Sequence, residues 1–350
     1  MHMKKILIAL AVAPLTLAFQ GLPANAEQAP AQQAAPRQVF DVSDLATGAP
    51  PAIAWATRKG AHLTTIHGPD GATTVPGGDL MRMAFAPMGS GYVVQQGTTV
   101  RWFGADGSPG AGSWRSGFGL GVSARGEAVA FTGPRGRVTV IDSEGDRVLR
   151  MPRVPTRGST SAAGVVGEDC QEDQTSNGCT VLVNSNRLPV SWLTSSHGIV
   201  DTTPVRKVLT VRGPWLGGTT EVSDTGTCNV MMRNLRAKWH SCRNRFSDIA
   251  PDNDHVIGIP ALGDGFGPTS LDLLDLRTGD RVRSWVSDRL GRSAVYFDEV
   301  WEDATHVLVV TFQAGEWAVV RLGLDGSMEY AVEPVADNGT MTSRFRLQTR

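Results

Sequence analysis

Charge is scarce in this chain, and the charge that is present nearly cancels. Only 19% of the 350 residues are charged, and 33 basic against 34 acidic side chains leave a formal net charge of −1. This balance excludes a binder driven by overall charge, so no nucleic-acid partner is predicted. Sustained 3.6-residue hydrophobic periodicity is also missing beyond the N-terminus, which argues against a helical fold.

Motifs of catalysis and metal binding are missing as well. The sequence has no G-x-S-x-G elbow, no H-E-x-x-H pair and only three tyrosines, and its histidines are scattered. We therefore predict no catalytic residue, no metal and no cofactor. Acidic side chains do adjoin in three places where strands are predicted to meet turns: Asp298-Glu299, Glu302-Asp303 and Glu168-Asp169. Carboxylates that face one another in a channel, such as Asp248, Asp298 and Glu299, would suit a glycosidase or lyase, which stays the alternative function.

A long apolar run occurs only at the N-terminus. Lys4 and Lys5 precede an apolar stretch from Ile6 to Phe19, and Ala24-Asn25-Ala26 has the small-x-small spacing of a cleavage site. A run of about 14 residues is shorter than the roughly 20 that span a bilayer. We therefore expect a cleaved secretory signal peptide over residues 1–26 rather than an uncleaved anchor, and a secreted protein without stable membrane insertion. Residues 27–50, which begin with EQAPAQQAAP, are predicted to form a flexible leader.

Cysteine is rare, with Cys170, Cys179, Cys228 and Cys242 as the full set. An oxidising compartment lets disulfides persist, and four cysteines allow three pairings. The spacings do not match those of a zinc site. The local pairs Cys170–Cys179 and Cys228–Cys242 are favoured, because each spans one predicted hairpin or one pair of adjacent strands.

Turn residues, in contrast, are abundant and evenly spread, with 40 Gly and 20 Pro. One stretch reads as four short strands separated by ARGE, TGPRG and DSEGD: Gly119–Ser123, Ala128–Phe131, Arg137–Ile141 and Arg147–Met151. Altered copies of this unit recur, most of them with a Gly-bearing turn before the last strand. Seven units of about 46 residues predict an all-β fold, a seven-bladed β-propeller of four-stranded antiparallel blades that forms a single domain over residues 51–350. Six blades is the alternative, if the irregular fifth unit is an insertion.

The first unit is incomplete. Residues Pro51–Gly78 contain only three predicted strands, and an extended segment, Ser343–Arg350, is left over at the C-terminus. An open blade would expose an unpaired strand edge. We therefore predict that a strand within Arg344–Thr349 completes blade one and closes the ring, with a frayed tail as the alternative.

In this pattern the chain resembles the WD40-like or TolB-like β-propellers of exported bacterial proteins. The resemblance rests on FSDIAPDNDHVIGI followed by LDLLDLRTGDRV, which is close to the strand–turn–strand signature of these repeats, although no Trp-Asp dipeptide occurs. It implies a propeller fold and a scaffold that binds partners, and it implies no particular activity.

Loop charges suggest where such a partner would bind. In a four-stranded meander the loops after strands two and four emerge on one side of the disc, and those after strands one and three on the other. Arginine prevails on the first side and acidic residues on the second, although chance sorting of turn residues would give the same asymmetry. We expect a monomeric, non-catalytic scaffold whose Arg-rich face binds an anionic polymer or an acidic protein. The residues assigned to this binding are Arg153, Arg157, Arg289 and Arg292.

Overall fold

A computed structural model describes residues 35–350, except for residues 143–146, 157, 169, 171–177, 187–190, 196–197, 203, 225, 263–266, 288–293 and 341. Within these limits the helices are two single 3-10 turns, Leu80–Arg82 and Pro134–Gly136. Neither has the length or the apolar character that a membrane crossing requires. The rest of the regular structure is β-strand, as the even spread of turn residues predicts.

The strands form seven sheets, which are the blades of a propeller. The strand β1 (Arg37–Val39) comes first, and blade one contains β2 (Trp55–Lys59), β3 (Leu63–Gly68) and β4 (Gly71–Pro76). Blade two contains β5 (Met83–Met88), β6 (Gly91–Gln96), β7 (Thr99–Gly104) and β8 (Pro109–Arg115). Blade three contains β9 (Gly121–Val122), β10 (Ala128–Gly133), β11 (Arg137–Asp142) and β12 (Arg147–Met151). Blades four and five contain β13 (Thr160–Val166), β14 (Thr180–Ser185), β15 (Ser191–Ser195), β16 (Gly198–Asp201); β17 (Lys207–Arg212), β18 (Trp215–Ser223), β19 (Gly226–Arg233) and β20 (Arg236–Ser241). Blades six and seven contain β21 (Asn244–Ile249), β22 (His255–Pro260), β23 (Ser270–Asp275), β24 (Arg281–Val286); β25 (Val295–Trp301), β26 (His306–Gln313), β27 (Glu316–Gly323) and β28 (Met328–Ala336).

The predicted seven-bladed count is confirmed, and the fifth unit is a regular blade. Its four strands pair in the order β17-β18-β19-β20, as the strands of the other blades do. The first strands of successive blades contact one another around the central axis, for example β13 with β17 and β17 with β21. The first strand of blade three is shorter than predicted, because Gly119 has a φ of +120° and Ser123 already belongs to the turn that follows.

The C-terminal strand closes the ring as predicted. β29 (Phe345–Leu347) pairs antiparallel with β2, so that Leu347 lies opposite Trp55 and Phe345 lies opposite Thr57. Phe345 and Leu347 are buried among the apolar side chains between blades seven and one. A frayed tail is therefore the wrong alternative.

The N-terminal segment differs from the prediction of a flexible leader over 27–50. Residues 37–39 form β1, a fifth strand that runs parallel to β24 at the outer edge of blade six. Phe40 is fully buried, and its ring stacks on Tyr296 at 4.5 Å between centroids. The Ala- and Pro-rich signal used in the prediction ends at Pro36, whereas the packed residues that follow it are RQVFDV. This part of the prediction is corrected for residues 37–50.

Apolar side chains fill the spaces between blades. The largest fully buried ones are Trp285, Trp301 and Trp317, in blades six and seven. Burial of aromatic rings of this size contributes about 2–3 kcal/mol each. The blades therefore stack mainly through side chains, while the ladder hydrogen bonds between paired strands stay within each sheet.

Both predicted disulfides are present. Cys170 is bonded to Cys179 in blade four, and Cys228 is bonded to Cys242 in blade five. The second bond joins the residue that precedes Asn229 in β19 to the residue that follows β20, across the same strand pair. By chain entropy, loops of 9 and 14 residues are expected to stabilise the fold by about 3 kcal/mol each.

Candidate binding cleft

We call the side of the disc with the loops after second and fourth strands the upper face, and the opposite side the lower face. Neighbouring loops of the upper face are joined by backbone hydrogen bonds, such as the one that Ala261 N donates to Arg243 O at 2.9 Å. Arg153 lies on this face, exposed, two residues after β12. Arg157, Arg289 and Arg292 lie outside the described residues, so the four-arginine assignment stays a prediction.

A cleft of about 440 Å³ opens on the upper face where blades four, five and six meet. Arg206 and Lys207, at the start of β17, and Arg245, in β21, are its basic lining residues. All three side chains are exposed. We call this feature the basic cleft, and its lining includes Asn186, Arg206, Lys207, Val222, Thr227 and Arg245.

The electrostatics of the basic cleft are one-sided. No carboxylate lines it within the described part of the chain, and none there forms an ion pair with Arg206, Lys207 or Arg245. Like charges on one concave surface repel one another and attract anions. The planar guanidinium groups of two arginines also suit the two oxygens of a carboxylate or phosphate.

Two buried asparagines hold the backbone beneath these cations. Asn184 binds Val208 twice, because its Nδ2 donates to Val208 O at 2.7 Å and its Oδ1 accepts from Val208 N at 2.8 Å. Asn229 Nδ2 donates to Asn244 O at 2.9 Å and so joins blade five to blade six. Val208 follows Lys207 and Asn244 precedes Arg245. The two amides therefore fix the spacing between the basic groups, which is what a preorganised binding site requires.

The disulfide Cys228–Cys242 also borders the basic cleft. Cys228 adjoins Thr227, a lining residue, and Cys242 begins the connection to β21 that leads to Arg245. The bond thus ties the outer wall of the cleft in blade five to the chain that carries one of its cations.

The carboxylates proposed for the alternative function lie on the innermost strands, where they join neighbouring blades. Asp298 accepts a hydrogen bond from Leu347 N at 2.8 Å and lies 3.5 Å from Arg346 Nε. Asp248 is buried and accepts from Trp301 N at 3.0 Å. Glu299 hydrogen-bonds Ser247 of blade six. Among the described residues, no group of three or more His, Cys, Asp or Glu side chains could hold a metal ion.

Glu299 is the carboxyl group whose pKa is raised to near neutral pH. Burial raises its pKa from 4.5 to about 7, with the charge of Asp298 acting in the same direction and those of Arg245 and Arg346 opposing it. A carboxyl group that ionises near neutral pH, next to a cation of the basic cleft, couples the charge at this end of the cleft to pH.

We expect Glu299→Gln to change how stability depends on pH. The raised pKa means that the folded protein holds this proton more tightly than the unfolded chain, so the contribution of Glu299 falls as pH rises from 4.5 to about 7. The substitution removes that loss, which is at most about 3 kcal/mol. Relative to the wild type, the variant should therefore gain unfolding free energy between about pH 5 and pH 8 in urea titrations. An unchanged difference between variant and wild type across this range would contradict the shift.

The residues of the basic cleft were not singled out as binding residues from the sequence. Arg206 and Arg245 fall on the predicted Arg-rich face, but they lie 39 positions apart in the chain and adjoin only because blades five and six are neighbours. Their position in the repeat is the sequence feature that could have identified them, because each lies where the first strand of its blade begins. Such starts converge near the axis on the upper face, whereas Arg153 lies in a loop after an outermost strand.

Comparison with known proteins identifies the fold and no more. Neither a protein-family model nor a curated protein matches the chain. Among solved structures, a chain of the "Mitotic Checkpoint Complex" is similar over 94% of this chain and 91% of its own length, with a TM-score of 0.51 and 11% identity. The fold is that of a seven-bladed β-propeller. BamB from Moraxella catarrhalis (TM-score 0.44, 16% identity, 87% of this chain and 89% of its own) and the Pan2 WD40 domain from Neurospora crassa (0.45, 12%, 76% and 86%) are also similar.

Proposed function

We propose that this protein is a secreted, non-catalytic β-propeller that binds an anionic partner through the basic cleft. The observation that carries the proposal is the convergence of Arg206, Lys207 and Arg245 on one cleft that no described carboxylate lines. The partner is an acidic polymer or an acidic protein, since the lining cations recognise carboxylate and phosphate groups in either. The propeller itself supports this function by holding the cations on rigid, neighbouring blades.

Secretion is supported by two features. The first is the signal-peptide pattern of residues 1–26, with Lys4 and Lys5 before the apolar run. The second is the pairing of all four cysteines in disulfides, which persist outside a reducing cytosol. A binding protein of the cell surface or its surroundings would meet acidic polymers there.

Charge reversal in the basic cleft tests the proposal. In the triple variant Arg206→Glu, Lys207→Glu and Arg245→Glu, we expect the affinity for fluorescent poly-L-glutamate and for polyphosphate to fall by at least about tenfold. Binding by the wild type should also weaken as salt rises from about 50 to 500 mM. Fluorescence anisotropy measures both effects, and the two probes separate a preference for carboxylate from a preference for phosphate.

The matched control has the same change in charge elsewhere on the upper face. This control variant combines Arg58→Glu, Lys59→Glu and Arg82→Glu. The three native side chains are exposed, in blade one and in the connection to blade two. This variant should stay within about threefold of the wild type. The broader prediction from the sequence, that reversal of Arg153, Arg157, Arg289 and Arg292 abolishes binding, is tested in the same assay. Equal losses in the cleft variant and the control would contradict a cleft-specific site.

The alternative is a glycosidase or lyase, and it rests on Glu299. A carboxyl group with a pKa of about 7 is suited to donate a proton to a leaving group, and Asp298 adjoins it. Asp298, however, is bound to Leu347 N and Arg346 of the closing strand. Release of reducing sugar from a panel of glycans by the wild type, lost in Glu299→Gln, would favour this alternative over the binding scaffold.

A further inference from the structure

The lower face carries a second concave feature, far from the basic cleft along the strands of blades four and five. It is an apolar groove of about 340 Å³ lined by residues that include Val166, Leu182, Val200, Val211, Trp215 and Leu235. Leu182 and Trp215 are buried at its floor. Val200 and Leu235, at its rim, are 60% and 51% exposed. The groove thus has an apolar floor and apolar side chains held in solvent at its edge.

The hairpin at the rim has a turn whose backbone conformation is unfavourable for one of its residues, Leu235. Asn234 and Leu235 connect β19 to β20 with φ angles of +50° and +59°. A two-residue turn with two positive φ angles favours Asn followed by Gly. Leucine in this conformation is strained, since its Cβ approaches the backbone. The exposed Leu235 side chain gains little burial to offset this strain, and backbone strain of this kind persists where function requires it.

The charges of the same hairpin are also unfavourable in the free protein. Arg233 and Arg236 lie directly opposite each other in the β19–β20 pair, and like charges in that position repel. With Asn234 and Lys238 they line a shallow pocket of about 450 Å³ beside the groove. Within the described residues, no carboxylate forms an ion pair with any of these three cations. The Arg233 guanidinium lies 5.5 Å from the centroid of the Trp215 ring, which places it between groove and pocket.

We propose that this groove binds a peptide segment of a partner protein in which apolar side chains adjoin acidic ones. The apolar side chain enters the groove against Trp215 and Leu235, and the carboxylates pair with Arg233, Arg236 and Lys238. Charge complementarity selects this occupant, because three cations that pair with no described carboxylate lie beside an apolar groove and match alternating apolar and acidic groups. Contact with the peptide buries the Leu235 side chain and neutralises the repulsion between Arg233 and Arg236. The exposed leucine and the facing arginines, which are unfavourable in the free protein, therefore become favourable in the complex.

The test is selection of peptides followed by comparison of variants. Phage-displayed random peptides of about 12 residues are selected on the full protein, and the enriched sequences are measured by fluorescence anisotropy. We expect them to combine apolar and acidic residues. Leu235→Gly should weaken their binding at least about fivefold while it raises the Tm, because Gly relieves the strained turn. Arg233→Gln with Arg236→Gln should weaken it at least about tenfold.

Controls separate this site from the basic cleft. The triple cleft variant at Arg206, Lys207 and Arg245 should bind the selected peptides within about twofold of the wild type, and bound peptide should protect Lys238 from acetylation but not Lys207. The inference is wrong if no peptide is enriched, if the enriched peptides are basic or lack apolar residues, or if Leu235→Gly binds them unchanged or lowers the Tm. Concentration-dependent self-association that protects Lys238 would identify a second copy of this chain as the occupant instead.

Discussion

Removal of the closing strand should destabilise the propeller more than any other local change. Deletion of residues 343–350 leaves the inner edge of β2 unpaired, since Trp55 and Thr57 lose their partners Leu347 and Phe345. It also removes the hydrogen bond from Leu347 N to Asp298 and the one from Thr349 N to Phe85 O. An unpaired inner edge favours aggregation. We expect a sharp fall in Tm, and an unchanged Tm would contradict the closure.

A milder variant keeps the chain at full length. Phe345→Ala with Leu347→Ala empties two buried positions, which are 3% and 2% exposed. Losses of about 2–5 kcal/mol for each large-to-small substitution predict a total of at least about 4 kcal/mol in urea unfolding. Thr342→Ala, outside β29, is the control and should cost less than about 1 kcal/mol. A double variant as stable as this control would show that the strand does not hold the ring closed.

The second large effect concerns Arg321, which holds the entry to blade one. Its guanidinium binds Glu302 and Glu329 and donates to the carbonyl oxygens of Ala49 at 3.1 Å and Pro50 at 3.2 Å. Glu302 also accepts a hydrogen bond from Ala52 N. The hydrogen bond to Glu302 is the main cause that raises the Arg321 pKa above its ordinary value. This ion-pair network joins blade seven to the segment that begins blade one.

Arg321→Met should cost about 3–5 kcal/mol of unfolding free energy, because Glu302 is left buried without its partner. Addition of Glu302→Gln should restore part of the loss, since the unpaired charge is removed. The matched control is Arg281→Met, at an ion pair with Asp272 that is more exposed and 3.9 Å long. That substitution should cost less than about 1 kcal/mol. Similar losses for both Arg→Met variants would contradict the role of the network.

Most of the fold is predictable from the sequence because its signals are local. A turn such as Arg277-Thr278-Gly279 marks one strand end wherever it occurs, and such turns recur often enough to give the blade count. The missing strand of the first unit predicts the pairing of β29 because an open edge is unfavourable in any propeller. β1 was missed because it has only three residues and pairs in parallel with a strand 247 positions away.

The candidate sites are harder to predict because their residues come from different blades. Lys207 and Arg245 belong to separate repeats, and only the register of the blades places them on one cleft. The supporting amides, Asn184 and Asn229, resemble ordinary polar residues of strands in the sequence. The sequence does not predict that Leu235 is exposed in a tight turn, because a Leu between Asn234 and Arg236 does not indicate a positive φ angle. Loop charge sorting therefore predicts a face, whereas the structure identifies a cleft.

The most direct test of the basic cleft uses the scarcity of lysine in this chain. Lys59, Lys207 and Lys238 are the only lysines of residues 27–350, and all three are exposed. Lys59 lies on the upper face away from the cleft, and Lys207 lies in the cleft. Lys238 lies on the outermost strand of blade five, towards the lower face. Acetylation followed by mass spectrometry, with and without poly-L-glutamate, reports on each separately. We predict that the polymer protects Lys207 at least about fivefold and leaves Lys59 and Lys238 unprotected; equal protection of all three, or none at Lys207, would contradict the account.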